Sequence, residues 1–349
     1  MTDSAQRSSG AVTSVSSAEA AALLLRRFGF AGAVAPLASE RDQVFAVTPE
    51  NGVRYILRIS VPNELVSTIL CQNGALDAIA AADPALPVPR LLPSLSGEFV
   101  EWMDHGGSRR AVRLFTYLDG VPVGKAGRAP GQLMALGTCL ARLDDALSHF
   151  AYGSAGAADV WDVENAHHLA PILATQPDPA IRQAALRAIA WFAENGSELL
   201  RDLPRQFIHN DFGPKNVLVD RDNPTRVKAI IDFGDMLYAP RVLDLSVALA
   251  KLVALPDPLA EACEMAAAYA SRLRLSRREV AALYRLVGTR LAMRIAVWSR
   301  RQSETSAPEA AAIIAGAAAL LQTFEEVGEE RACQALLEAC LAAPASRAS

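Results

Sequence analysis

Two short segments in the second half of the chain carry the residue types that phosphoryl transfer requires. The first, His209-Asn-Asp-Phe-Gly-Pro-Lys-Asn216, has the spacing H-x-D-x-x-x-x-N. The second is Asp232-Phe-Gly, which follows the apolar stretch at residues 227–231. Moving a phosphoryl group from a nucleotide to a hydroxyl needs an acceptor held in line and metal ions that neutralise the phosphates. Asp211 could accept the hydroxyl proton, while Asn216 and Asp232 could hold Mg²⁺ with oxygen ligands.

The order of the two segments strengthens this interpretation. One hairpin separates them, because Asp220-Arg-Asp-Asn-Pro224 is a turn sequence between two apolar runs. A catalytic loop followed by a metal-binding Asp-Phe-Gly is the arrangement of protein kinases. The alternative is a β-hairpin whose Asp and Asn side chains only cap turns. Turn capping, however, does not require this order of residue types.

Composition and charge limit the possible classes. With 349 residues, 51% hydrophobic and 21% charged, the chain predicts a globular protein of two ordinary domains or one two-lobed unit. The net charge is −4 and no block of like charges occurs, which argues against nucleic acid and against a membrane surface as the main partner. The apolar run at residues 310–321 is too short to span a bilayer.

The cysteines and the N-terminus indicate a compartment. The five cysteines have no C-x-x-C spacing, so a disulfide framework or a zinc site is not expected and a reducing compartment fits best. The N-terminus lacks the basic and apolar segments of a secretory signal. We therefore expect a cytoplasmic protein.

Elements along the chain predict two lobes of different character. Residues 1–17, rich in Ser, Thr, Ala and Gly, predict a disordered lead-in. Residues 18–117 predict a small β-rich N-lobe that includes two helices, at residues 21–28 and 63–81. Its predicted strands lie at residues 34–37, 43–48, 55–60, 98–103 and 110–117.

Residues 118–349 predict a large, mostly helical C-lobe, which contains the catalytic hairpin at residues 207–235. The expected fold is therefore α+β and two-lobed, like a protein kinase. The predicted helices of this lobe lie at residues 132–147, 180–201, 242–255, 258–273, 276–303 (one or two pieces), 307–326 and 329–342.

The run FIHNDFGPKNVLV at residues 207–219 resembles the aminoglycoside phosphotransferase and choline kinase superfamily. The similarity covers about residues 20–300. Several further segments resemble its hydroxylysine kinase subgroup. They are SERDQ at 39–43, CQNGAL at 71–76, DPALPVP at 83–89, RLFTYL at 113–118, WD at 161–162 and IDFGDM at 231–236.

The resemblance implies a Mg²⁺-dependent kinase with ATP or GTP as donor, and GTP is the donor associated with the subgroup. It implies a small hydroxyamine or hydroxyamino acid as acceptor, with 5-hydroxylysine the best match. Homoserine, an amino alcohol or an aminoglycoside remain alternative acceptors. A non-catalytic nucleotide-binding module is an alternative of another class.

The resemblance also assigns roles to individual positions. Asp211 matches the catalytic aspartate, and Asn216 and Asp232 match the metal ligands. His209 matches a residue that supports the catalytic loop rather than reacting. The segment at 113–118 matches the hinge, whose backbone groups at Arg113, Phe115 and Tyr117 would bind the purine edge.

The expected nucleotide-binding segment departs from the protein-kinase pattern in three places. Arg58 stands where a Lys is expected, and its planar fork suits phosphate oxygens, although a surface charge is the alternative. Leu70 stands where a Glu partner for that cation is expected, so Glu64 near the start of the same helix is the substitute. The phosphate loop contains no glycine, so Ser39 and backbone N–H groups would touch phosphate unless the segment is a plain turn.

The acceptor pocket is expected among the helices of the large lobe. A hydroxyamino acid needs a cation for its carboxylate and an oxygen for its ammonium group, which Asp235 could provide. Arg290 and Arg294 lie one helical turn apart, with Trp298 a further turn on, and could form a carboxylate clamp. Ion pairs on the flank of the helix are the alternative. For Asp244 we favour a structural role that holds the loop.

Overall fold

The computed structural model describes most of the chain in two compact units. Unit 1 comprises Met1–Asp77 and Pro89–Leu118, and unit 2 comprises Ala78–Val88 and Asp119–Ser349. The described residues are 14–39, 41–50, 52–153, 160–305 and 308–342.

The predicted α+β fold is confirmed, with a small antiparallel sheet in unit 1 and a mostly helical unit 2. The helices of the described residues are α1 Ser17–Phe28, α2 Val66–Ala82, α3 Gln132–Leu147, α4 Ala170–Leu173, α5 Pro179–Leu200, α6 Val242–Leu252, α7 Pro258–Arg272, α8 Arg277–Thr305, α9 Ala310–Val327 and α10 Glu329–Ala342. The strands are β1 Gly32–Leu37, β2 Gln43–Pro49, β3 Tyr55–Ile59, β4 Leu91–Leu92, β5 Glu101–His105, β6 Ser108–Thr116, β7 Val121–Pro122, β8 Arg205–Ile208, β9 Val217–Val219, β10 Val227–Ile230 and β11 Leu237–Pro240.

Unit 1 is built around an antiparallel sheet in the order β1-β2-β3-β6-β4, with β5 also paired to β6. Alternate residues of β2 and β3 face one core, which the apolar side of α1 covers. A capping box between Ser16 and Glu19 begins α1, and Gly29 ends it in a left-handed conformation.

The end of the predicted lead-in belongs to this core. The Val15 side chain is buried, and its N–H donates to Gln43 Oε1 at 2.8 Å. Residues 14–17 are therefore part of the fold of unit 1. Residues 1–13 of the predicted lead-in lie outside the described residues.

The strands of unit 2 are short and form two small antiparallel sheets. β9 and β10 form an antiparallel hairpin, β7 adds to the other edge of β9, and β8 pairs with β11. The helices α3, α6 and α8 pack together beside these strands. Ten of the eleven residues of α6 are buried, so this helix forms the centre of unit 2.

The helices of unit 2 follow the predicted boundaries closely, because long apolar stripes define them. The structure resolves one alternative, since α8 is a single continuous helix. The start of α2 was predicted three residues too early, because Asn63 adopts a left-handed φ of 55° and cannot continue a helix. Strands β8 and β11 are four residues each and gave too little periodicity to be predicted separately.

Helix α9 is longer than the apolar run taken from the sequence. It has 18 residues with a mean hydropathy of 1.4, and by length and composition alone it could cross a bilayer. Its Leu321 side chain is buried, and Glu325 pairs with Arg187 of α5 at 2.8 Å. These contacts make α9 a packed helix of unit 2.

Close packing of α3 against α7 depends on one glycine. A Cβ atom at Gly137 would lie 2.3 Å from the Met265 carbonyl oxygen, so the two helices would have to separate. We expect Gly137→Ala to lower the free energy of unfolding by about 1–3 kcal/mol, as overpacking does. Urea denaturation would measure it.

The matched control is Gly316→Ala in α9, where a Cβ atom would meet nothing within 4 Å. There the lower backbone entropy of Ala should raise stability by about 0.5–1 kcal/mol. A Gly137→Ala variant as stable as the wild type would contradict the proposed contact.

Candidate active site

His209 connects the two motif segments. Its ring is fully buried, and Nδ1 accepts from the Asp211 backbone N–H at 3.1 Å. Nε2 lies 3.1 Å from the Ile231 carbonyl oxygen. A backbone N–H can only donate and a carbonyl can only accept, so Nε2 carries the proton and the imidazole is neutral. The ring therefore holds the loop against the residue that precedes Asp232.

The side chains of Asp211 and Asn216 are hydrogen-bonded to each other. The Asn216 side-chain N–H₂ group donates to Asp211 Oδ2 at 2.5 Å and to the Asp211 carbonyl oxygen at 3.1 Å. This leaves Asn216 Oδ1 without a donor among the described residues. The Ile231 backbone N–H donates to the Asn216 carbonyl oxygen at 2.9 Å, which brings the strand end beside the loop.

Asp232 lies at the end of β10 in a left-handed conformation with φ 63° and ψ 79°. Its Oδ1 accepts from the Gly234 N–H at 3.3 Å, and the residue is exposed. Non-glycine residues in this conformation are uncommon and cluster at functional sites. The conformation turns the chain sharply after the strand, directly after Ile231, whose N–H contacts the Asn216 carbonyl oxygen.

The donor set fits a magnesium ion that is shared with a nucleotide. One amide oxygen and one carboxylate are hard ligands, and Mg²⁺ commonly takes one or two protein ligands plus phosphate and water oxygens. The described residues contain no cluster of three or more His, Cys, Asp and Glu side chains that would form a metal cage. Asn216 and Asp232 are therefore suited to an ion that arrives with phosphates.

Asp244, at the start of α6, holds the catalytic loop from behind. Its two carboxylate oxygens accept from the backbone N–H groups of His209 at 2.7 Å and Asn210 at 2.8 Å, and the side chain is fully buried. Asn210 has a left-handed φ of 60°. The two hydrogen bonds fix this conformation, from which the chain turns towards Asp211.

Behind Asp244 lies a second buried carboxyl, Asp144 of α3. Asp144 Oδ2 accepts from the Tyr269 hydroxyl at 2.6 Å, whereas no N–H or O–H group of the described residues donates to Oδ1. Burial, and then the negative charge of Asp244, raise the pKa of Asp144 well above its usual range. We infer that Asp144 carries the proton of this buried pair and donates it towards the Asp244 carboxylate.

Lys251 of α6 is a site residue that the sequence analysis missed. Its ammonium group forms an ion pair with Asp211 Oδ1, and its stem packs over Gly213. Burial alone would raise the pKa of Asp211, but the charge and hydrogen bond of Lys251 lower it below its usual range. Asp211 is therefore ionised. The available signal was a charged residue within an otherwise apolar helical run.

The candidate acceptor residues of α8 differ in what they contact. Arg290 is buried and donates to the carbonyl oxygens of Trp161 and Asn210, the latter at 3.0 Å, so it braces the loop backbone. Trp298 is largely buried and faces Lys215 of the catalytic loop, with 5.9 Å between the ammonium nitrogen and the ring centroid. Arg290 thus lacks the exposure that the predicted clamp requires.

Arg294 remains half-buried between these two residues and donates to the Ala250 carbonyl oxygen. Asp235 is also half-buried, in the 3-10 turn that follows Asp232. Its carbonyl oxygen accepts from Asn210 Nδ2 at 3.2 Å, so its backbone belongs to the same loop cluster. Both side chains are partly exposed, as a contact with an acceptor requires.

In unit 1 the structure shows ion pairs of Arg58 and of Glu64 with other partners. Arg58 on β3 forms an ion pair with Asp42, and Asp42 also accepts from the Val61 N–H at 3.1 Å. Glu64 lies before α2 begins and pairs instead with Arg41 at 3.3 Å. Asp42, which directly precedes β2, is therefore a carboxylate partner of Arg58, and the pairing of Glu64 with Arg58 stays a prediction.

The predicted hinge residues Arg113 and Phe115 lie within the sheet of unit 1. β6 is paired on both sides at Phe115, so its backbone groups are used in the sheet, and both side chains are buried. Arg113 donates to Asn73 at 2.9 Å and Gln72 at 3.0 Å, and burial lowers its pKa to about 10. The Tyr117 N–H donates to the Arg54 carbonyl at 3.2 Å, so this donor is also occupied.

Ser39 lies exposed after the end of β1 and keeps its place in the predicted phosphate loop. Residue 40 of that segment lies outside the described residues. A surface groove of about 670 Å³ occurs elsewhere in unit 2, between α3 and the start of β10. None of the candidate site residues lines it, so the groove is separate from the candidate site.

The shared proton behind the loop predicts a pH dependence of stability. A carboxyl whose pKa is raised by folding stabilises the native state at low pH and loses this contribution as pH rises through the raised pKa. Asp144→Asn cannot titrate but keeps an N–H donor for Asp244. We expect the variant to gain stability relative to the wild type as pH rises from about 4 to about 8, measured by urea denaturation.

The control for that series is Asp145→Asn, one residue along α3. Asp145 is partly exposed and pairs with Arg272 at 3.1 Å. Its substitution should leave the pH slope of the wild type unchanged. A parallel pair of stability curves for Asp144→Asn and the wild type would show that Asp144 is ionised in the native state.

The comparison by sequence and the comparison by structure both find kinases. Hydroxylysine kinase from Mus musculus is 27% identical over 297 residues, which cover 78% of this chain and 79% of the mouse protein. A microcompartment-associated aminopropanol kinase shares the fold with a TM-score of 0.72 at 21% identity, over 90% of this chain and 99% of that chain. An amicoumacin kinase in complex with AMP-PNP, Ca²⁺ and Ami has a TM-score of 0.62 at 17% identity, over 85% and 88% of the two chains.

The family match covers most of the fold. The APH family, described as the phosphotransferase enzyme family, matches residues 33–283, a segment that includes both motif segments and the helix that carries Lys251. The resemblance found in the sequence is thereby confirmed. This chain belongs to the phosphotransferase enzyme family.

Proposed function

We propose that the protein is a Mg²⁺-dependent kinase that transfers the γ-phosphoryl group of ATP or GTP to the hydroxyl of a small hydroxyamino acid. 5-Hydroxylysine is the acceptor that we favour. The observation that carries the proposal is the hydrogen-bonded Asp211–Asn216 pair, which the loop backbone holds beside the strand end at Asp232. The relationship to hydroxylysine kinases supports the choice of acceptor.

In this proposal each side chain has a distinct role. The ionised Asp211 carboxylate orients the acceptor hydroxyl and takes its proton as the oxygen attacks phosphorus. Asn216 Oδ1 and the Asp232 carboxylate would hold Mg²⁺, which supplies charge neutralisation to the phosphates. Arg58, oriented by Asp42, would contact phosphate oxygens with its planar fork.

An amino alcohol is the competing acceptor, because the structural neighbour with a TM-score of 0.72 is named an aminopropanol kinase. An acceptor panel tests the two directly. Nucleotide consumption would be followed with 5-hydroxylysine, homoserine, aminopropanol and an aminoglycoside, each with ATP and with GTP. The proposal expects the highest kcat/KM with 5-hydroxylysine, and preference for aminopropanol would replace it with the competing function.

Removing the proposed base should abolish turnover without unfolding the loop. Asp211→Asn keeps the size of the side chain but cannot accept the proton, so kcat should fall by about 10²–10⁴-fold. Nucleotide affinity, measured by calorimetry, should change little because Asp211 acts on the acceptor.

Asp220→Asn is the matched control in the same hairpin. Asp220 Oδ1 accepts from the N–H groups of Asp222 at 2.9 Å and Asn223 at 3.2 Å, so it serves only the turn. Its substitution should leave kcat near the wild-type value. Near-normal turnover of Asp211→Asn would remove Asp211 from the reaction.

Lys251 should set the pH range in which Asp211 works. In Lys251→Met, burial would no longer be opposed by the charge of Lys251, so the pKa of Asp211 should rise. The base must be ionised, and the acidic limb of the kcat/KM profile should therefore move to higher pH.

Lys228→Met, on the far part of the hairpin in β10, controls for the loss of one positive charge. Its acidic limb should coincide with that of the wild type. An unshifted acidic limb in Lys251→Met would show that the ion pair does not control the protonation of Asp211.

A further inference from the structure

One face of α8 runs along the catalytic loop and carries Arg290, Arg294 and Trp298 at intervals of four residues. Arg290 touches the Asn210 carbonyl oxygen, and Trp298 faces Lys215. Arg294 therefore lies on the same face of α8, between Arg290, which contacts the start of the catalytic loop, and Trp298, which faces Lys215 near its end. This position puts its guanidinium beside the residues that would receive the acceptor.

Arg294 differs from the other buried cations of the site. Its described hydrogen bond goes to the Ala250 carbonyl oxygen, next to Lys251. Within the parts of the chain that the structure describes, no carboxylate lies within ion-pair distance of its guanidinium. Burial, followed by repulsion from Arg290, lowers the pKa of Arg294 to about 10. Burying a charged guanidinium costs free energy unless an anion compensates its charge.

The neighbouring charges do not supply that anion. Asp211 is the carboxylate whose charge acts on Arg294, and Lys251 already pairs with it. The positive charges of Arg290 and Arg294 also act on Lys251 and lower its pKa further, after burial. Lys251, Arg290 and Arg294 thus act on one another as like charges beside the proposed base.

We propose that Arg294, with Lys251 beside it, binds the carboxylate of the acceptor. The inference rests on the proposed function, because it places this carboxylate next to the base that receives the acceptor hydroxyl. A guanidinium fork matches a carboxylate in two parallel hydrogen bonds, which an amino alcohol cannot accept. Arg294 and Lys251 are thereby specificity residues for amino acids over the corresponding amines.

A matched pair of acceptors isolates the carboxylate. The first is 5-hydroxylysine and the second is its carboxamide, which keeps the hydroxyl and both amines but is neutral at the carboxyl position. The wild-type enzyme should prefer the acid in kcat/KM by at least about 30-fold, which is the effect of removing one partner from a buried charged contact.

The matched variants are Arg294→Gln and Arg300→Gln on the same helix. Arg300 is exposed and pairs weakly with Glu304 at 3.9 Å. Arg294→Gln should raise KM for the acid by about 30-fold or more and leave KM for the carboxamide unchanged, with kcat largely retained. Arg300→Gln should leave both values unchanged. Thermal melting would check that each variant is folded.

Three results would overturn the inference. The first is an equal loss for both acceptors in Arg294→Gln, which would give Arg294 a structural role only. The second is a rise in KM for the nucleotide instead of the acceptor, which would assign the cation to a phosphate. The third is equal use of acid and carboxamide by the wild type, a result that stands even if the variant does not fold.

Failure of the proposed function gives a different result. A wild-type enzyme that phosphorylates neither of the two acceptors, but does phosphorylate aminopropanol, is still a kinase of this family. That outcome rejects the hydroxyamino acid and the carboxylate site together. Phosphorylation of both acceptors without preference rejects the carboxylate site alone.

Discussion

The catalytic loop depends on one buried carboxylate. Asp244 accepts from two consecutive backbone N–H groups, those of His209 and Asn210, and holds Asn210 in a left-handed conformation. The chain then leads directly to Asp211. From the same anchor, the His209 ring reaches the Ile231 carbonyl and connects the loop to the residue before Asp232. Without the Asp244 hydrogen bonds, two buried backbone donors would be unsatisfied, at a cost of about 1–3 kcal/mol each.

The protonation state of Asp211 depends on its burial and on the cations that surround it. A half-buried Asp211 would tend to take up a proton, which would make it useless for receiving another from an acceptor. Lys251 prevents this with a direct ion pair, while Arg290 supports the loop backbone. Arg294 contacts the Ala250 carbonyl oxygen next to Lys251, and its proposed role is to bind an acceptor with a negative group. A single arrangement of side chains thus sets both the protonation of the base and the proposed preference for amino acids.

The sequence predicted the local features of the fold and missed those that depend on distant contacts. The α3 and α10 boundaries were predicted correctly, because apolar periodicity determines them. The ion pairs of Arg58 with Asp42 and of Glu64 with Arg41 join residues that are distant in sequence and were not predicted.

Charged residues inside apolar helices were the other omission. Lys251 and Asp144 each lie in a run that reads as a core helix, and only the packing of α3 and α6 shows what they meet. Phe115 was assigned to the hinge by the family resemblance, whereas pairing on both sides places it in a central strand. Long-range pairing of this kind leaves no periodic signal in the sequence.

The central claim is that Asp211, Asn216 and Asp232 converge on the reacting phosphate. A crystal structure with Mg²⁺, a non-hydrolysable nucleoside triphosphate and 5-hydroxylysine would test it most directly. The account predicts a cation ligated by Asn216 Oδ1 and the Asp232 carboxylate, with the acceptor hydroxyl hydrogen-bonded to Asp211. A complex in which these three side chains point away from the cation and from the terminal phosphate would contradict it.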